Sequence, residues 1–169
     1  MELTVKIAKV LARMEGADEE VCVVAAYLHD IGRRGAKGKH GPRGAKMARA
    51  FLKKLGLPEA FIRSVWYAVA LHDSGPPKRT KEAAVLWDAD KLQSIGPYGF
   101  IRIFAHHLWY DTKDIHLARR LTASRHTFFF KRFHTKSGRA LAKRLHTFMD
   151  TFYDLLQSVK AAKIERILR

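Results

Sequence analysis

The sequence contains a single cysteine, Cys22, so it can close no intrachain disulfide and build no cysteine zinc site. A reducing, cytoplasmic setting is the expectation. It also lacks any apolar run near the ~20 residues that a bilayer-spanning helix needs. The longest runs, Val21 to Leu28 and Val65 to Leu71, have the length of buried helix faces. Glu2, Lys6, Lys9 and Arg13 interrupt the amino-terminal stretch, which excludes the continuous apolar region of a secretory signal. No segment is low in complexity, and no alternating apolar pattern bounded by hairpin turns argues for strands. No internal repeat is evident. These absences predict a protein without a membrane span, a disulfide framework or a sheet.

Acidic residues are scarce as well. Against 32 Lys and Arg stand 16 Asp and Glu, a formal net charge of +16, which implies an anionic partner. From Ile31 to Lys54 there is no acidic residue, yet nine basic ones: Arg33, Arg34, Lys37, Lys39, Arg43, Lys46, Arg49, Lys53 and Lys54. Such a segment can be a solvated face that serves solubility, a phosphate-recognising wall, or a surface that attracts nucleic acid.

With 169 residues, 47% of them hydrophobic and 28% charged, the chain has room for one sizeable core and is read as one domain over 1–169. Leu3, Ile7, Val10 and Leu11 recur at helical spacing, and Gly16 closes that helix. Asp18 is placed to cap a second helix from Glu19 toward His29, with Glu19 and Glu20 in its favourable first turn. Residues 21–28 are apolar on every side, so this helix is expected at the centre. Gly32, Gly35, Gly38, Gly41 and Gly44, with Pro42, predict a loop of about a dozen residues. A helix from Ala45 to Leu55 follows, closed by Gly56, and Pro58 suits the first turn of another that ends near Leu71. Ser74 to Lys78 reads as a loop. Further helices are expected from Lys81 to Asp90 and from Tyr98 to Trp109, then two long ones over about 114–133 and 137–160 or beyond. The fold class is all-α.

Nine histidines are present, and their placement matters more than their number. His29 and Asp30 stand at the end of the most apolar helix, where a carboxylate is costly unless a cation or several hydrogen bonds compensate it. Adjacent side chains in a helix diverge by about 100°, so a chelating pair requires the helix to stop there, as Gly32 indicates. His40 in the glycine-rich loop, His72 at a helix end and Asp90 in Asp88-Ala89-Asp90-Lys91 are the other candidates for one shared cavity. Imidazole with carboxylate suits iron, manganese, cobalt, nickel or zinc, whereas an all-oxygen magnesium site has no use for several histidines. Any one of these histidines taken singly also fits an ordinary hydrogen-bonded or solvated side chain.

The string Ala25-Ala26-Tyr27-Leu28-His29-Asp30-Ile31-Gly32 resembles the defining motif of the HD superfamily of metal-dependent phosphohydrolases. The resemblance continues through Lys39-His40-Gly41-Pro42-Arg43-Gly44-Ala45, His72 after an apolar helix, and Asp88-Ala89-Asp90-Lys91-Leu92. In the carboxy-terminal part, Ser137-Gly138-Arg139-Ala140-Leu141-Ala142 and His146-Thr147-Phe148-Met149 are similar to a branch of small bacterial and archaeal HD hydrolases. The resemblance implies an HD-type helical bundle, with a metal-site core over about 1–110 and two long carboxy-terminal helices over about 111–169. It implies His29, Asp30 and Asp90 as ligands of one divalent ion. His40 and His72 resemble the extra histidines of two-metal members, in which the motif aspartate, here Asp30, bridges the ions and is central to catalysis. The superfamily pattern also places a histidine on the first helix, whose equivalent falls at or just before Met1. This sequence has none there, so either its natural start lies upstream or the first metal position lacks a ligand.

The activity so implied is hydrolysis of a nucleotide or another small phosphate ester by metal-activated water. Arg33, Arg34 and Lys91, next in sequence to the ligands, are the candidates for phosphate contacts. Two alternatives stand beside it: a basic nucleic-acid-binding module with a degenerate metal site, and a di-iron oxygenase of the same fold. His106 and His107 receive no ligand role from the resemblance. His116, His126, His134 and His146, among Arg and Lys, read as structural or surface residues, and Phe128-Phe129-Phe130 as core or dimer surface. Oligomeric state is left open.

Overall fold

A computed structural model describes residues 2–35, 38–74 and 79–160. Its elements are α1 (Glu2–Glu15), α2 (Glu19–Leu28), α3 (Gly41–Lys54), α4 (Glu59–Leu71), α5 (Lys81–Leu92), α6 (Gly96–His106), a π turn (His107–Asp111), α7 (Ile115–Phe130) and α8 (Lys136–Lys160). No strand occurs among the described residues, and the all-α class is confirmed. No helix among them is long and apolar enough to cross a membrane. Of the expected loop at Ser74 to Lys78, residues 75–78 lie outside the described residues, as does any continuation of α8 past 160.

The chain divides into two compact units, Met1–Gln93 with Arg132–Arg139, and Ser94–Lys131 with Ala140–Arg169. In the first unit, Val5, Ala8, Leu11 and Ala12 recur on the buried face of α1. Gly16, at φ 62°, ends that helix, and the Asp18 carboxylate accepts the Val21 N–H at 3.0 Å to start α2 as expected. Helix α2 packs against α1, α3, α4 and α5, the central place that its apolar surface requires. The contacts are made largely by small side chains. Ala8, Ala12, Ala25, Ala26, Ala45, Ala48, Ala68, Ala83 and Ala89 are all fully buried, so the helices approach closely and their ends converge. Cys22 is buried among them, and burial pushes its thiol up to about 12.

One boundary differs from the sequence expectation. The glycine-rich loop is shorter, because Gly41, Pro42 and Gly44 belong to the first turn of α3. Pro42 suits that turn, since its missing N–H would have no helical partner there. The glycines serve close packing instead of breaking the helix. A Cβ on Gly32 would lie 2.5 Å from the Gly44 nitrogen, and one on Gly41 2.6 Å from Asp73 Oδ1. Pro58 stands one residue earlier than expected, as the N-cap of α4.

The short second segment of this unit is anchored on Asp88. Its fully buried carboxylate accepts the backbone N–H groups of His134 at 2.9 Å and Thr135 at 2.8 Å, and the Thr135 hydroxyl at 2.7 Å. Thr135 Oγ1 accepts the Gly138 N–H at 2.9 Å, which starts α8. Burial raises the Asp88 pKa against the pull of these donors.

In the second unit α6 and α7 pack together, and Phe100 stacks on Phe104 and meets Phe152 edge to face. The triple phenylalanine divides its roles. Phe129 is buried, Phe130 stacks on the His146 ring at 3.8 Å, and Phe128 is 49% exposed. His126 is buried with Nε2 3.1 Å from His146 Nδ1, so it belongs to the core.

Two stability predictions follow from these contacts. A Cβ at Gly138 would fall 2.2 Å from Asp88 Oδ2, so Gly138→Ala should cost about 2–4 kcal/mol, read from urea unfolding. An unchanged midpoint would contradict the Asp88 anchor. Burial, then the neighbouring His146, lowers the His126 pKa to about 4. A histidine kept neutral in the fold contributes stability that is present above its unfolded value near 6.5 and lost as pH falls toward 4. The unfolding midpoint should therefore drop over that window, and His126→Leu should flatten the drop.

Candidate metal centre

Helices α2 and α4 each end in a His-Asp pair, His29-Asp30 and His72-Asp73. In both, the first-turn logic of a helix end positions the ring. His29 Nδ1 lies 2.7 Å from the Ala26 carbonyl oxygen, and His72 Nδ1 lies 2.7 Å from that of Val69. A carbonyl only accepts, so Nδ1 carries the proton in each ring and Nε2 of the neutral ring presents a bare lone pair. Both rings are almost fully buried, at 4% and 1% exposure, and burial lowers the His29 pKa, which keeps that ring neutral.

These lone pairs converge on Asp30. Its Oδ2 is 3.6 Å from His29 Nε2, and its Oδ1 is 2.8 Å from His40 Nε2 and 3.7 Å from His72 Nε2. The Nε2 atoms of His40 and His72 are 3.0 Å apart. Asp90, from α5, brings Oδ1 to 4.0 Å from His29 Nε2. Asp30, His40 and His72 can each offer an atom within 4.8 Å of the others. The five expected ligand residues are thus brought together, with His29 toward one oxygen of Asp30, His40 and His72 toward the other, and Asp90 facing His29.

Acceptors facing acceptors at this range repel unless a cation lies between them. His29 Nε2 faces two carboxylates with no proton to give, and a divalent ion resolves that conflict as single hydrogen bonds cannot. The donor set therefore fits a divalent metal of the imidazole-preferring kind. With a proton on Nε2 the His72 ring is the strongest of the groups that hold the Asp30 carboxyl well below the usual range, followed by His29, Arg33 and His40, against partial burial. Burial opposes ionisation of Asp90, but Lys91 and, more weakly, His29 and His72 overcome it. Both carboxylates are ready as ligands at neutral pH.

Of the three expected phosphate contacts, two stand at the site. Arg33 pairs with Asp30 Oδ2 at 3.0 Å and is 69% exposed at its side chain, and Lys91 pairs with Asp90 while its ammonium lies 5.0 Å from the Trp87 ring centre. The exposed Arg34 is held at its backbone, where its carbonyl accepts from Arg43 at 3.1 Å, and no described contact draws its side chain to the site.

Sequence reasoning passed over Asp73. Its Oδ2 accepts the backbone N–H groups of His40 at 2.5 Å and Gly41 at 2.9 Å, fixing the start of α3, and lies 3.3 Å from His40 Nδ1. These amides outweigh its burial and keep it ionised. The signal was the recurrence of His-Asp at a second helix end. A carboxylate on Nδ1 turns Nε2 of His40 toward the cluster, as outer carboxylates do for metal-binding histidines. Asp73→Asn keeps an acceptor for the two amides but removes the charge. It should weaken divalent-metal binding about 10–100-fold in a chelator competition while leaving the helical circular dichroism intact.

The HD domain family model matches residues 1–95. Comparison with curated protein sequences gives no match. Among solved structures, the chain is similar to a HD-superfamily hydrolase from Bacillus thuringiensis, with 22% identity, a TM-score of 0.75, and coverage of 95% of this chain and 84% of that one. A predicted HD superfamily hydrolase from an uncultured Thermotogales bacterium gives 23% identity and a TM-score of 0.69, over 93% of this chain and 77% of the other. Bacillus subtilis YpgQ in complex with ADP gives 20% identity and a TM-score of 0.70, over 93% and 85%. At these identities the likeness is one of fold. The family match covers more than half of the sequence and contains the whole His-Asp cluster, and on that ground the chain belongs to the HD domain family.

Proposed function

We propose that this chain is a metal-dependent phosphohydrolase acting on a nucleotide or another small phosphate ester, with Asp30 as its central residue. The observation that carries the reading is the Asp30 carboxylate, whose two oxygens face bare imidazole nitrogens on opposite sides. His29, Asp30 and Asp90 would hold one divalent ion, and Asp30 with His40 and His72 a second. An ion so bound lowers the pKa of a coordinated water toward neutrality and offsets charge on a phosphoryl oxygen.

The remaining work falls to the protein's own groups. Arg33 is exposed enough to swing from Asp30 to an incoming phosphate, where its planar fork binds two oxygens. Lys91 is largely buried beside Asp90 and supplies a fixed positive charge at the site. Exposed cations along α3, Arg43, Lys46 and Lys54, raise the potential outside and draw anionic substrates inward. The nucleotide is favoured within the phosphate-ester class by the structural neighbour that holds ADP.

The experiment is a phosphate-release screen with manganese, cobalt or nickel over nucleoside mono-, di- and triphosphates and simple phosphate esters. Release that Asp30→Ala abolishes, and that Arg33→Ala reduces chiefly through a higher KM, is the expected result. Metal-loaded protein inert across the whole panel would overturn the proposal.

A further inference from the structure

The second unit carries its own convergence of metal-ligand side chains, at the π turn that follows α6. His107 Nδ1 lies 2.6 Å from Asp111 Oδ2, and His106 Nδ1 lies 3.7 Å from the same oxygen. The three residues can each offer an atom within 4.8 Å of the others. We propose that His106, His107 and Asp111 form a separate site for a zinc-class divalent ion.

The backbone explains why they meet. In an α-helix, neighbours such as His106 and His107 diverge by about 100°, and a residue five further on is turned by about 140°, so these three would not share a face. Here the Thr112 N–H donates to the His107 carbonyl at 2.9 Å, an i to i+5 bond that widens the turn. Asp111 is thereby rotated back over His106 while still within reach of His107. The two rings stand 90° apart with centres 5.9 Å from each other, so they approach the carboxylate from different directions.

The chemistry selects the ion. Ligand bonds of about 2.0–2.2 Å separate neighbouring ligand atoms by about 3 Å, and the observed 2.6 and 3.7 Å bracket that value. Two imidazoles and one carboxylate suit zinc, nickel, cobalt or copper and disfavour magnesium and calcium. No Lys or Arg among the described residues pairs with Asp111, and the nearby Lys113 ammonium bonds the Leu108 carbonyl at 3.3 Å. The side chains of His106 and Asp111 are 58% and 45% exposed, so an ion reaches the site from solvent and water completes its shell. His107 is 12% exposed and forms the inner wall. This site shares no residue with the Asp30 cluster, so either stands without the other.

The test is zinc titration of the full chain by calorimetry in an Asp30→Ala background, which disables the first cluster. One equivalent should still bind. His106→Gln and Asp111→Asn, both at exposed positions, should each weaken that binding by more than about tenfold, while His116→Gln, an exposed histidine outside the cluster, should not change it. Asp111→Asn should remove the zinc-dependent shifts of the His106 and His107 ring protons in nuclear magnetic resonance spectra, and His106→Gln those of His107. Zinc bound equally by all of these variants, or no zinc bound in the Asp30→Ala background, would overturn the proposal.

Discussion

The carbonyl groups left over at the ends of α2 and α4 set the chemistry of the first unit. A helix ends with its last carbonyls unpaired, and here the imidazoles of His29 and His72 reach back to Ala26 and Val69. That single pair of hydrogen bonds fixes the tautomer of both rings, turns both Nε2 lone pairs inward and orients them on one carboxylate. A backbone requirement is thus met by the same atoms that make the site electron-rich. A ring anchored in this way through Nδ1 can donate to Asp30 only from Nε2, and only by taking up a second proton.

Everything around this arrangement serves to bring helix ends together. Alanine contacts let α2 and α4 approach, and the Gly32 to Gly44 contact folds the connecting chain back onto the start of α3. Helices α1 and α3 have equal length, 14 residues, and each is followed by a glycine with φ above 60° and a second helix ending in His-Asp. The two hairpins therefore deliver equivalent pairs in inequivalent roles. Asp30 faces the imidazoles, while Asp73 faces the amide groups at the start of α3 and orients His40 from behind.

The helices and the His29-Asp30 focus were legible because apolar periodicity and helix-end residues are local signals. Asp18 as a cap and α2 as the central helix needed nothing beyond that. The roles of Gly41 and Gly44 were not legible, because a glycine that permits close packing looks the same in sequence as one that breaks a helix; only the neighbours at Asp73 and Gly32 distinguish them. Asp88 and Asp90 show the same limit. Two residues apart in one string, one anchors the start of α8 and the other faces His29, and a helical wheel separates their directions without naming either partner. The π turn at His107 was read as plain helix, since its i to i+5 winding depends on how α6 ends and not on residue type.

Charge resolves how so basic a protein keeps an electron-rich centre. Three carboxylates, Asp30, Asp73 and Asp90, are matched at short range by two side-chain cations, Arg33 and Lys91, and burial disfavours a charge on the His29 ring. The cluster is therefore a small negative island within a chain of net charge +16. A divalent cation is favoured at the island, and once it is there the local sign matches the surroundings. The exposed Arg and Lys along α3 set up a field of the opposite sign to that island, one that attracts anions. The His72 ring and then Arg33 at Asp30, and Lys91 at Asp90, favour the ionised form of both carboxylates, so neither has a proton to lose before a cation approaches.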